Sequence, residues 1–213
     1  MQGAQLTAIL TTLVTLVLAA SLAAALSARY AKKRERTMLF WALGLWAFSL
    51  SVLLEFAFAM GAYSGPAIDA YLFIVAILVE LLALGSIQLV KSEWIRKGYY
   101  VLAAIGAIAV AYSLFIANIG NLLVGYVVAG QPPLPVIIAS ALATFPASAV
   151  IAIVAALGYR RSGNPKLLSI VAGIVVVGVA GTLYIASFPT FLYIAEFFGV
   201  LLLWVGFAGA KRR

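Results

Sequence analysis

Apolar residues in this chain fall into seven long blocks, separated by short clusters of charge, glycine and proline. The blocks lie at about 5–28, 38–61, 67–90, 98–118, 135–158, 167–187 and 190–210. Each is close to the roughly 20 residues that a helix needs to cross a bilayer. The pattern predicts an all-α integral membrane protein with seven transmembrane helices. Short connections take up the rest of the chain, so residues 1–213 form a single seven-helix membrane domain with no room for a soluble one. The first block is Ala- and Leu-rich, as a signal peptide is. Its basic cluster follows the apolar stretch instead of preceding it, so it reads as a retained helix.

Composition agrees with this pattern. Of the 213 residues, 66% are apolar and 9% charged, against norms of about 45–50% and 25% in soluble domains. That excludes an ordinary soluble enzyme and a disordered chain. There is no cysteine and no histidine. The usual zinc, copper, haem and iron–sulfur ligands are therefore missing, as are thiol nucleophiles and imidazole bases. No Gly-x-Ser-x-Gly or metal-binding helix motif occurs. The expectation is a protein that is not an enzyme and carries no cofactor.

Charge adds an orientation. All fourteen Lys and Arg follow the odd-numbered spans. Arg29, Lys32, Lys33, Arg34 and Arg36 follow the first, and Lys91, Arg96 and Lys97 the third. Arg160, Arg161 and Lys166 follow the fifth, and Lys211, Arg212 and Arg213 the seventh. Positive loops stay on the cytoplasmic side, so the N-terminus is expected outside and the C-terminus in the cytoplasm of a multi-pass cell-membrane protein. With Glu35 and Glu93 counted, the basic face carries 14 − 2 = +12. Charge held this close to a bilayer suits anionic lipid and does not call for nucleic acid. Trp41, Trp46, Trp94 and Trp204 lie toward the same face and read as an interfacial belt.

The third and seventh spans align without a gap at an offset of 120, with five of 21 positions identical, among them Leu82/Leu202 and Lys91/Lys211. Gly44 and Gly173 each stand fourteen residues beyond a Tyr at a basic turn. These matches suggest a parallel 3+1+3 pseudo-repeat, residues 5–91 and 135–211, joined by a linker helix at 98–118. The layout resembles two known groups in topology. Microbial rhodopsins share the helix number and orientation but need a lysine in the seventh helix for retinal. Thr190 to Ala210 contains none. SWEET and PQ-loop sugar transporters share the 3+1+3 order. Here Pro146 has no counterpart in the first span, and no Pro-Gln step occurs. Neither group's motif is present.

Three acids lie within spans: Glu55, Glu80 and Glu196. An ionisable group in hydrocarbon costs at least about 2.5–3.5 kcal/mol on insertion scales and marks a functional position by default. Small or polar residues share their helical faces: Ser51 and Gly44 with Glu55, Ala76 and Ala83 with Glu80, Gly199 and Gly206 with Glu196. The expectation is that the three carboxyls converge on one cavity, with Glu80 deepest and Ser51 and Tyr184 nearby as substrate- or ion-binding partners. Tyr112 is a further candidate hydroxyl. Thr7, Thr11 and Thr15 repeat along one face of the first span, and Asp69 is read as a cap or first-turn acid. The apolar connection from Asn118 to Pro135 either extends the fourth helix or forms a flap over the cavity mouth. The functional expectation is a small-solute or proton/cation-coupled carrier. A non-catalytic accessory subunit of a larger membrane complex and a seven-helix receptor or sensor are the alternatives, and other membrane subunits or a homo-oligomer are the partners expected beside the lipid bilayer.

Overall fold

The computed structural model describes residues 2–209 apart from 63, 121, 125, 126, 129, 166, 171, 174, 175 and 177–188. Apart from a minimal hairpin, the described residues are all-α. Helices α1 (Gln2–Lys33), α2 (Arg36–Ala59), α3 (Gly65–Ile87), α4 (Glu93–Ile116) and α5 (Leu134–Ser162) come first. Helix α6 is described at 167–170, 172–173 and 176, and α7 spans Pro189–Gly209. With α6 the architecture has seven helices, and α1 to α5 are long and apolar enough to cross a membrane. Helices suit these sequences because hydrocarbon offers no partner to a backbone N–H or C=O, so each span must satisfy its own. This is a polytopic membrane protein.

Antiparallel neighbours form the centre. Ala19, Leu22, Ala23 and Leu26 of α1 pack with Leu45, Phe48 and Val52 of α2, and Leu78 and Leu82 of α3 join them. Helix α3 also packs on α4 and α5, and α7 lies against α1. Three helices overrun their apolar blocks by four or five residues at the basic end, α4 by starting at Glu93. Helix α1 continues to Lys33, and α5 continues to Ser162, where Gly163 adopts φ 64° and its N–H reaches Tyr159 O. Long basic side chains can reach water from a helix that projects past the bilayer.

Glycines mark the closest approaches, and they do so twice in the same way. A Cβ on Gly44 of α2 would lie 2.8 Å from Leu82 of α3, and one on Gly173 of α6 would lie 3.3 Å from Leu202 of α7. Leu82 and Leu202 stand at the offset of 120 found in the sequence. In addition, Gly85 of α3 faces Trp41 of α2, and Gly206 of α7 faces Ile170 of α6.

That packing corrects the expected aromatic belt. Trp41 is a core residue, seated on Gly85 with its Nε1–H donating to Ser86 Oγ at 3.3 Å. Trp94 is 88% exposed and fits the belt. In single-tryptophan variants in bilayers, spin-labelled lipid is expected to quench Trp94 strongly and to leave Trp41 bright. Equal quenching would contradict this packing. Asp69 is also reassigned. Helix α3 begins at Gly65 with Pro66 in its first turn, so Asp69 sits a turn inside and is neither cap nor first-turn acid.

Helix α4 stops at Ile116 and does not extend into the long connection. Strands β1 (Leu123–Val124) and β2 (Val127–Val128) make a two-stranded antiparallel hairpin, and β2 lies against α2. Leu122 is buried among Phe58, Ile68 and Tyr71, so the connection folds back over the ends of α2 and α3. It behaves as the flap alternative, at the end of the bundle opposite the basic residues.

Candidate functional site: a buried carboxyl pair

Glu55, Glu80 and Glu196 are all interior, at 4%, 4% and 8% exposure. Their small-residue faces do turn inward: Ser51, Ala76, Ala83, Gly199 and Gly206 are buried with them. The expected single cluster nevertheless divides in two.

Glu55 and Glu196 meet. The carboxyl of Glu196, from α7, lies beside that of Glu55 on α2. Tyr71 of α3 donates its hydroxyl hydrogen to Glu55 Oε1 at 2.6 Å. The other oxygen, Oε2, is buried with no hydrogen bond of normal geometry. Tyr71 is itself fixed by Phe58, whose ring stands edge-on to it with centroids 5.9 Å apart, and by Leu122 of the connection above. Three helices and the flap thus build the site. It lies in the half of the bundle away from the basic end, since Glu55 is four residues from the end of α2, or about 6 Å of rise.

Glu80 lies elsewhere. It is nine residues beyond Tyr71 on α3, which is about 180° around the helix and 13 Å along it. Its carboxyl instead rests over Gly106 of α4, next to Ala143 of α5. It is also past the middle of α3, on the basic side, so it is not one wall of a shared cavity.

The remaining candidates separate as well. Ser51 is buried near the pair, one turn from Glu55, and its hydroxyl donates to Phe48 O at 2.8 Å. Tyr184 lies outside the described residues, as do Gly178 and Gly181, whose place with Gly173 in the sixth span predicts close helix contacts. Tyr112 is exposed on the outer flank of α4 and lines no interior site. The threonine repeat does not share one environment. Thr7 is exposed, Thr11 donates to Thr7 O, and Thr15 is buried with an unpaired hydroxyl, in company with Thr12. Sequence reasoning missed Tyr71 and Gly106. The signal for Tyr71 was a polar aromatic within a span, at a depth that antiparallel packing of α2 and α3 brings level with Glu55.

Ionised carboxylates only accept hydrogen bonds. Two of them side by side in low dielectric repel unless a proton or cation lies between them. No Lys or Arg occurs within the spans to neutralise the pair. Two carboxyls and one phenol place five oxygens together, a donor set that suits a hard cation. Tyr71→Phe deletes the hydrogen bond from Tyr71 to Glu55 Oε1 and deprives that buried oxygen of its donor. The expected loss is about 1–3 kcal/mol of stability, read from thermal unfolding in detergent. An unchanged melt would remove Tyr71 from the site's framework.

No family model, no curated protein and no solved structure matches this chain.

Proposed function

We propose that this protein is a carrier that exchanges protons for a small monovalent cation or cationic solute at Glu55 and Glu196. The meeting of the Glu55 and Glu196 carboxyls in the interior, with no Lys or Arg in the spans to neutralise them, carries the reading. A carboxyl pair that keeps one proton has a net charge of −1. Replacing that proton by a monovalent cation leaves the site's charge unchanged, so one occupant can take the other's place at no added electrostatic cost. A divalent ion would need more oxygens than the pair supplies.

In this reading the basic end faces the cytoplasm and the flap over Tyr71 faces outward. A parallel 3+1+3 duplication with α4 as the linker is part of the proposal. The matched contacts of Gly44 with Leu82 and Gly173 with Leu202 support it, as do the sequence identities. Carriers are often built from such repeats, with the site between them. Glu55 and Glu196 would then come one from each repeat. In this reading lipid covers the apolar flank of α4 and α5, where Phe115 and Phe145 are exposed.

Proteoliposomes loaded with a pH indicator test the reading. An inward gradient of sodium or potassium is expected to drive protons out through the wild type, and not through Glu55→Gln/Glu196→Gln. Indifference of the wild type to every monovalent cation tried would refute it.

A further inference from the structure

We infer that Glu80 is a second, separate proton-binding site, built for a proton and not for a metal cation. This inference does not depend on the exchange proposed for Glu55 and Glu196. It rests on a different set of contacts on the opposite face of α3.

Glu80 is 4% exposed and forms no hydrogen bond among the described residues. The space for its carboxyl exists because position 106 lacks a side chain. A Cβ there would overlap Glu80 Oε1, and would also come within 3.3 Å of Ala143 Cβ. Ala76, Val110, Ala139 and Ala143 pack into one small apolar cluster on this side of α3. Close helix approach at small residues is expected in membranes. Close approach around a carboxyl is unusual, because a charge placed there has nothing to compensate it.

The titratable surroundings are sparse on every side. From α4 the facing group is the buried phenol of Tyr99. Helix α5 contributes Ala143 and no ionisable side chain near this level. Helix α2 packs on the other side of α3, where Glu55 is held by Tyr71. A desolvated metal cation needs several oxygen ligands, and this niche offers the two of one carboxyl. A proton needs one oxygen and leaves a neutral acid, which an apolar niche accommodates at far lower cost than a carboxylate. The donor set therefore separates the two acid sites: the five-oxygen Glu55–Glu196–Tyr71 site suits a cation or a proton, and Glu80 suits a proton alone.

The test is infrared titration of the full chain in liposomes, following the carbonyl stretch of protonated carboxyl groups as pH is varied in deuterated buffer. Glu55→Gln/Glu196→Gln is expected to retain, beside the bands of Glu35, Asp69 and Glu93, one high-frequency band of a carboxyl without hydrogen bonds, unchanged by added sodium or potassium. Adding Glu80→Gln to that double variant should abolish that high-frequency band. If the double variant fails to fold, the wild-type minus Glu80→Gln difference spectrum supplies the same band. Gly106→Ala, which pushes a methyl group into the carboxyl, should shift the band's frequency and midpoint. A double variant without that high-frequency band, its survival in Glu80→Gln, or its displacement by metal cations would overturn the inference. Each result is independent of whether exchange occurs at Glu55 and Glu196.

Discussion

Glu55→Gln is expected to leave the bundle folded while raising the half-saturating cation concentration for exchange by about ten- to a hundredfold. The estimate follows from the contact removed. A hydrogen bond or ligand contact to a charged group is worth about 1.5–3 kcal/mol, and each 1.4 kcal/mol is a factor of ten. Glutamine keeps the shape of glutamate, and its amide oxygen can still accept from Tyr71 at the 2.6 Å position. Folding is therefore spared while the negative charge is lost. Glu55→Leu is different, because it also deprives Tyr71 of its acceptor and should lower stability. A carboxyl that merely fastened helices would give the opposite result, with Glu55→Gln silent in flux assays. Initial rates of cation-driven proton movement across a concentration series, together with a melt of each variant, separate the two cases.

The second large effect is structural. Gly85→Ala places a methyl group on the indole of Trp41, 2.6 Å from its Nε1. Trp41 is buried and tied to Ser86, so the ring has little freedom to retreat. Overpacking of this kind costs about 1–3 kcal/mol. It would be felt where α2 and α3 meet, and those two helices carry Glu55 and Tyr71. Gly98→Ala is the matched control. An added Cβ there meets nothing within 4 Å, and replacing glycine in a helix gains about 0.5–1 kcal/mol. Denaturant or thermal unfolding in detergent should therefore move in opposite directions for the two variants. A Gly85→Ala melt equal to the wild type would mean that Trp41 does not pack as described.

Much of the architecture was legible because membrane spans are written in one dimension. Blocks of apolar residues between basic clusters located α1 to α5 to within a few residues, since burial in hydrocarbon and exposure to water change abruptly along the chain. The inward direction of the small faces was legible too, from the spacing of Ala76, Ala83, Gly199 and Gly206. How the acids group was not legible. Depth along a helix can be counted, but which neighbour a face meets depends on how helices are arranged around one another. Glu80 shares an element with Tyr71 yet points the opposite way, and only the position of α4 and α5 reveals what it meets. The tryptophans show the same limit. Trp41 and Trp94 are equivalent by composition and proximity to charge, but Gly85 opens a place in the core for one and nothing covers the other. The connection after α4 was readable as apolar, while its hairpin form depends on Leu122 finding Phe58 and Tyr71.

The central claim is that the Glu55–Glu196 pair binds a proton or a monovalent cation in competition. The most direct measurement is proton release from purified protein in weakly buffered detergent solution when sodium or potassium is added. The wild type is predicted to release protons in proportion to site occupancy, and Glu55→Gln/Glu196→Gln to release none. Absence of release from the wild type, or equal release from the double variant, would contradict the claim.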